Sequence, residues 1–248
     1  MEIKLINSYN KMSKLAAKLV AEQIKIKPNT VLGLATGSTP EGMYKELVKM
    51  HKEGELDLSE VITFNLDEYL GLPPNHPQSY NYYMRMNFFG YVNIKEKNIH
   101  IPRGDTEDPV QECLNYEKEI EKIGGIDLQV LGIGINGHIG FNEPDINLKA
   151  KTHVIQLSND TIRANSRFFK NSHEVPKKAI TMGMTTIMKS KRIILMAWGA
   201  EKKKAILKII SGRIATDVPA SLLLVHNDVI LIVDNRLYIK ECNDFFIR

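Results

Sequence analysis

Four short apolar runs, residues 31–35, 61–66, 128–133 and 193–197, each feed straight into a polar or glycine-bearing loop, and amphipathic stretches separate many of them. Runs of this length and apolarity suit strands buried on both faces. Two further runs, 153–157 and 229–233, read as strands nearby. Ser8 is placed to cap a helix reaching about Lys25, since Met12, Leu15, Ala16, Leu19, Val20 and Ile24 recur at helical spacing. More helices are expected around 40–51, 79–89, 109–123 and 200–210. This alternation predicts an α/β fold: an open, mostly parallel, Rossmann-like sheet with helices on both faces, three layers in all. Such sheets bind ligands beyond the carboxyl ends of their strands, so the chemistry is expected in the loops after the four runs.

Size and charge narrow the classes. At 248 residues and 43% hydrophobic the chain can bury a full core, and no linker, repeat or low-complexity segment divides it, so one domain over 1–248 is expected. The longest apolar runs are far too short to span a bilayer. The first six residues lack a signal-peptide apolar region, and Cys113 and Cys242 form no CxxC, so a reducing cytoplasm is the expected location. The net charge of +4 is not gathered into a stripe, and no zinc-finger or aromatic ribonucleoprotein motif accompanies it. Nucleic acid is therefore not an expected partner, while a small anionic ligand remains open.

The loop from Leu131 to Pro144 holds His138 and Glu143 among glycines at 132, 134, 137 and 140. Glycine lets the backbone take positive φ and approach a ligand, and Pro144 stops a helix from continuing. Glu143 is expected to fix the imidazole's tautomer and support its protonated form. The spacing Gly132-x-Gly134-x-x-Gly137 formally matches the dinucleotide fingerprint, but that motif needs a helix opening at its third glycine. Gly140 and Pro144 argue against one, so no nicotinamide or flavin is expected.

The first loop, Thr36, Gly37, Ser38 and Thr39 before Pro40, looks like a phosphate cradle in which amides, hydroxyls and a helix dipole converge on one anion. It lacks the Gly-Lys-Ser/Thr ending of a nucleotide loop, and Thr39 could also cap the helix. In the fourth loop, Lys202, Lys203 and Lys204 stand where cations oppose the macrodipole. A bound anion would offset that, and Lys202, nearest the strand end, is the expected contact; the alternative leaves all three in water. The second loop sets Asp67 beside Glu68. One carboxyl could face the ligand, raised by burial toward the range of a general base, while the other caps or pairs structurally. His138, Glu143, Asp67 and His76 could in principle hold a metal, but no spaced His/Cys motif supports one, and none is expected.

Taken together, segments 34–40, 63–69, 137–144, 165–169 and 199–202 resemble the glucosamine-6-phosphate deaminases, in order and spacing, over nearly the whole chain. The resemblance implies conversion of glucosamine 6-phosphate and water to fructose 6-phosphate and ammonia, without a redox cofactor, in amino-sugar catabolism. By matching position it implies that Asp67 takes the C2 proton of the opened sugar and returns one to C1, through an enolamine. It implies that His138 moves a proton at the ring oxygen, oriented by Asn136 and Glu143. The phosphate falls to Thr36, Gly37, Ser38 and Thr39 with Arg167 and Lys202, and residues of about 158–178 to a mobile helical lid. Arg167 carries no signal of its own beyond that of a helical arginine.

Two departures stand out. One branch of the family has aspartate where Asn136 stands; an amide can bond His138 but cannot stabilise imidazolium by charge, which shifts weight to Glu143. In the allosteric branch, basic side chains near 151–156 help hold an acetylated sugar phosphate, whereas His153 and Ile155 stand here. Weak or absent activation by N-acetylglucosamine 6-phosphate is therefore expected. Relatives occur in several assembly sizes, which leaves a homo-oligomer open. The 6-phosphogluconolactonases share a similar Gly-His loop, but the Phe141 to Pro144 ending favours the deaminases. Related sugar-phosphate sensors keep the phosphate loop and can lose the base; here Asp67, His138 and Glu143 are all present, and a helix-turn-helix head before the domain is not expected.

Overall fold

The computed structural model describes residues 1–158, 162, 166, 169, 171 and 174–237. Its larger sheet has seven parallel strands in the order β1 (Glu2–Ile6), β10 (Val229–Asp234), β9 (Arg192–Ala197), β6 (Leu128–Gly132), β2 (Val31–Leu34), β3 (Ile62–Asn65) and β5 (Ile99–His100). The apolar character of β2, β6, β9 and β10 follows from cover on both sides. Helices α1 (Tyr9–Ile26), α2 (Glu41–Lys52) and α3 (Tyr80–Asn87) close one face, and α4 (Pro109–Ile123), α5 (Met184–Met188) and α6 (Lys203–Ile210) the other. The expected three-layer α/β sheet is the one observed.

Local sequence sets these elements. Ser8 caps α1 through a bond from the Lys11 N–H (3.3 Å), and Met12, Ala16, Val20 and Ile24 form its buried stripe. Asp108 caps α4, Pro109 opens it, and Gly124 ends it at φ 93°. In β2, a Cβ on Gly33 would lie 2.0 Å from the Gln129 Oε1, so only glycine lets that side chain cross the strand. At the amino ends of β2 and β6, the Asp127 carboxylate accepts from the Val31 N–H (2.8 Å), Lys27 (2.6 Å) and Lys191 (2.8 Å).

The chain moves outward from β2 through β3 to β5, then returns to β6 on the other side of β2 and continues through β9 to β10. The strand order thus reverses between β2 and β6, and a crevice opens at their carboxyl ends. A second sheet, not anticipated, lies at the end of β3: β4 (Asp67–Tyr69), β8 (Lys178–Thr181) and β7 (His153–Gln156), all antiparallel. The run at 153–157 therefore belongs to this small sheet and not to the main one. Its link to the main sheet is short, since the Leu66 N–H donates to the Leu34 carbonyl (3.0 Å) and its carbonyl accepts from the Met182 N–H (2.7 Å). The stretch 200–210 also differs from one continuous helix, opening as a single 3-10 turn, Ala200–Lys202, before α6. Among the described residues, no helix is long and apolar enough to cross a membrane.

Candidate active site

Four neighbouring strands, β9, β6, β2 and β3, send their following loops to one end of the sheet, and these are the loops expected from sequence. After β6 no helix forms. The Gly137 N–H donates to the Gly134 carbonyl (3.1 Å), and the Gly134 N–H to the His138 carbonyl (2.9 Å), closing a tight turn. The imidazole of His138 lies across Gly134: a Cβ there would sit 2.2 to 2.4 Å from ring atoms. The His138 Nδ1 is 2.7 Å from the Asn136 Oδ1, which also accepts the His138 backbone N–H (3.2 Å). Asn136 in turn donates to the Glu143 Oε2 (2.7 Å), and that oxygen is 3.3 Å from Nδ1. Because Oδ1 is an acceptor, Nδ1 carries the hydrogen, and in the neutral ring Nε2 is the nitrogen with the lone pair. The side chain of Glu143 is only 11% exposed, and Ser158 donates to its second oxygen (3.2 Å).

Asp67 reaches this loop from the second sheet. Its partner across the ladder, Thr181, accepts the Phe141 N–H (3.0 Å), and a Cβ on Gly140 would lie 3.6 Å from the Asp67 Oδ2. The aspartate therefore abuts the backbone two residues beyond His138. Asp67 is 5% exposed, and no described group donates a hydrogen bond to its carboxyl. Burial, then the charge of Glu68, pushes its pKa up to about 8. Glu68 does different work: it accepts the backbone N–H groups of Tyr69, Tyr80 and Asn81, each at 2.8 Å, the last two in the opening turn of α3. Burial raises this carboxyl less, because the three N–H bonds oppose it. Among the described residues, one of the two carboxylates is thus structural and the other carries no structural bond.

The loop after β2 turns at Gly37 (φ 93°), and Thr36 and Thr39 are half-buried while Gly37 and Ser38 are exposed. Thr39 does not cap α2; Pro40 occupies the cap position, and no side-chain bond is made there. After β9, Lys202 is half-buried in the 3-10 turn, whereas Lys203 and Lys204 are exposed at the start of α6. Arg167, and most of the segment 158–178 expected as a lid, lie outside the described residues. Of that segment, the Phe169 ring packs edge-on against Tyr69 (6.3 Å) and parallel to His76 (6.4 Å). Among the described residues no group of three or more His, Cys, Asp or Glu is placed to hold a metal ion. Sequence reasoning missed Ser158 and Thr181, which steady Glu143 and the loop. Neither sits in a motif, and each becomes relevant only through long-range contact.

Residues 7–231 match the family model of glucosamine-6-phosphate isomerases/6-phosphogluconolactonase. The glucosamine-6-phosphate deaminase of Thermoanaerobacter sp. (strain X514) is 61% identical over 95% of this chain and 93% of its own length. That of Clostridium acetobutylicum is 56% identical, covering 94% and 97%. A solved structure of a monomeric glucosamine-6-phosphate deaminase superposes with a TM-score of 0.93 at 44% identity, covering 96% of this chain and 98% of the other. The 6-phosphogluconolactonase of Thermotoga maritima superposes at 0.73 with 20% identity, covering 94% and 99%, a likeness of fold alone.

Proposed function

The chain belongs to the family of glucosamine-6-phosphate isomerases and 6-phosphogluconolactonases, and from that premise we propose that it works as a glucosamine-6-phosphate deaminase, with Asp67, His138, Asn136 and Glu143 at the reacting end and Thr36 to Thr39, Arg167 and Lys202 at the phosphate. The reaction converts glucosamine 6-phosphate and water to fructose 6-phosphate and ammonia, an aldose to ketose isomerisation with loss of the amine. The 141–144 ending and the high identity to named deaminases favour this activity over lactone hydrolysis.

In this reading Nε2 of His138 takes the proton of the anomeric hydroxyl and delivers it to the ring oxygen, which opens the ring. The Asn136 and Glu143 contacts hold Nδ1, so the imidazole passes through its charged form beside a carboxylate. Asp67 then takes the C2 proton, and the freed electron pair becomes the C1–C2 double bond while the carbonyl π pair moves to O1, which takes a proton from the substrate's ammonium group to give an enolamine; the same carboxyl returns its proton to C1 as the nitrogen lone pair forms the C2 iminium. Water adds to the resulting iminium carbon and ammonia leaves. A carboxyl held near 8 is a stronger base than an ordinary aspartate, and the amine cation of the substrate beside it favours its ionised form.

One observation carries this reading: a buried carboxyl with no hydrogen-bond donor among the described residues, set against the backbone of the loop that presents the imidazole. The test is an ammonia assay on the purified protein with a metal chelator present. Ammonia from glucosamine 6-phosphate supports the proposal, and turnover of 6-phosphogluconolactone alone overturns it. We read residues 1–248 as one domain acting in a reducing cytoplasm, in keeping with the free, buried Cys113.

A further inference from the structure

Three helices each lend a tyrosine to the loop after β2, and all three hydroxyls point at its carbonyls. Tyr44 of α2 donates to the Ala35 carbonyl (2.5 Å), Tyr83 of α3 to that of Gly37 (2.7 Å), and Tyr9 of α1 to those of Ser38 (2.8 Å) and Thr39 (3.2 Å). A trans peptide is planar, so the carbonyl of one residue and the N–H of the next point opposite ways. Fastening the carbonyls of Ala35, Gly37 and Ser38 toward the helices therefore turns the N–H groups of Thr36, Ser38 and Thr39 away from them, to the open side of the loop. The fourth fastened carbonyl, that of Thr39, precedes Pro40, which has no N–H to direct. Neither the Ser38 nor the Thr39 amide has an acceptor among the described residues.

Tyr9 also ties this loop to the turn after β9. Its hydroxyl accepts the Gly42 N–H (2.9 Å), and its ring meets Trp198 edge-on with centroids 6.1 Å apart. Trp198 lies beneath the Arg236 guanidinium (5.2 Å), whose Nε is held by both oxygens of the buried Asp234 (2.9 and 3.0 Å). The residue after Trp198 is Gly199, where the Lys202 turn begins. Two segments assigned to the phosphate are thus set relative to each other through one tyrosine.

We propose that Tyr9, Tyr44 and Tyr83 are positioning residues for this reaction, presetting the peptide planes of the loop as a cradle of N–H donors for the phosphate of the sugar substrate. The proposal rests on assigning the Thr36 to Thr39 loop to phosphate, and it adds that the direction of the donors is decided by hydroxyls the substrate never touches. Without a fastening hydroxyl a carbonyl is free to swing outward, and it would then face the anion with an acceptor.

The experiment compares wild type with Tyr9→Phe, Tyr83→Phe and the double variant, measuring ammonia release from glucosamine 6-phosphate, competitive inhibition by inorganic phosphate, and thermal unfolding. Each lost hydroxyl is expected to raise KM and the phosphate inhibition constant together by about three- to tenfold, with kcat within about twofold of wild type. The unfolding midpoint is expected to fall by only about 2 to 4 °C. A double variant with wild-type KM and phosphate inhibition overturns the proposal, as does one whose kcat falls while both stay put. Wild type that releases no ammonia and ignores phosphate overturns the assignment of the loop itself, a result separable from tyrosine variants that fail to move.

Discussion

Asp67→Asn is expected to end catalysis and at the same time make the protein more stable. The wild-type carboxyl has an ordinary pKa of 3.8 and is raised to about 8 in the native cleft, first by burial and then by Glu68. The native state therefore holds a proton that the unfolded chain releases above about pH 4. The contribution of this site to stability is complete below that pH and is lost as pH rises through about 8. Each pH unit in the window costs the native state a little over about 1 kcal/mol, so between pH 5 and 8 wild type is expected to lose on the order of 4 kcal/mol relative to the variant. Asparagine is neutral throughout, and removing the charge also relieves Glu68, which acts in the same direction. Urea unfolding at pH 5 to 9, followed by the fluorescence of the single tryptophan, Trp198, measures the gap. It should widen up to about pH 8 and then level off. A gap that is constant across this range, or that narrows, would refute the claim that burial holds the proton on Asp67. In the same preparation, exchange of the C2 proton with solvent should vanish while inhibition by inorganic phosphate persists.

His138→Gln should slow turnover of the closed ring by about 100-fold or more while slowing an open-chain analogue far less; equal slowing would remove the ring-opening role. Gly134→Ala forces a Cβ to within 2.2 Å of the imidazole. Displacing the ring by about 1 Å should cost about 100-fold in kcat, with phosphate inhibition unchanged, and a variant at wild-type kcat would contradict the placement of His138. Glu143→Gln retains the shape and one acceptor oxygen, which can face Asn136 while the amide NH2 turns to the Ser158 hydroxyl, but loses the charge beside Nδ1, so kcat on the closed ring should fall about 10- to 100-fold. Wild-type turnover there would mean that charge at this position contributes nothing.

Local chemistry wrote much of the fold and part of the site into the chain. Ser8, Asp108 and Gly124 mark helix ends by side-chain acceptors or a positive φ, which are nearest-neighbour effects. The apolar runs of β2, β6, β9 and β10 announce strands covered on both faces, because only water on one side would require polar alternation. The glycines around His138 announce a loop with its backbone drawn close. Short or edge strands gave no such signal: β1 lies at a sheet edge, β5 spans two residues, and β4 and β8 together make only seven.

Sequence by itself thus determined the helices and the buried strands, the loops that gather beyond those strands, and the closeness of His138 to Asn136 and Glu143, all within a few residues of one another. Tertiary structure decided which of two adjacent carboxylates faces the cleft. Asp67 and Glu68 are equivalent as neighbours in a chain, and only the antiparallel register with Thr181 and the arrival of α3's first N–H groups on Glu68 separate them. Tertiary structure likewise decided the direction of the loop's amides, through tyrosines from three helices that lie up to 46 residues from the carbonyls they hold. The physical reason is the range of the forces involved: capping, periodicity and backbone φ act over a turn or two of chain, whereas burial and hydrogen bonding across a cleft depend on which distant segments the folded core brings into contact.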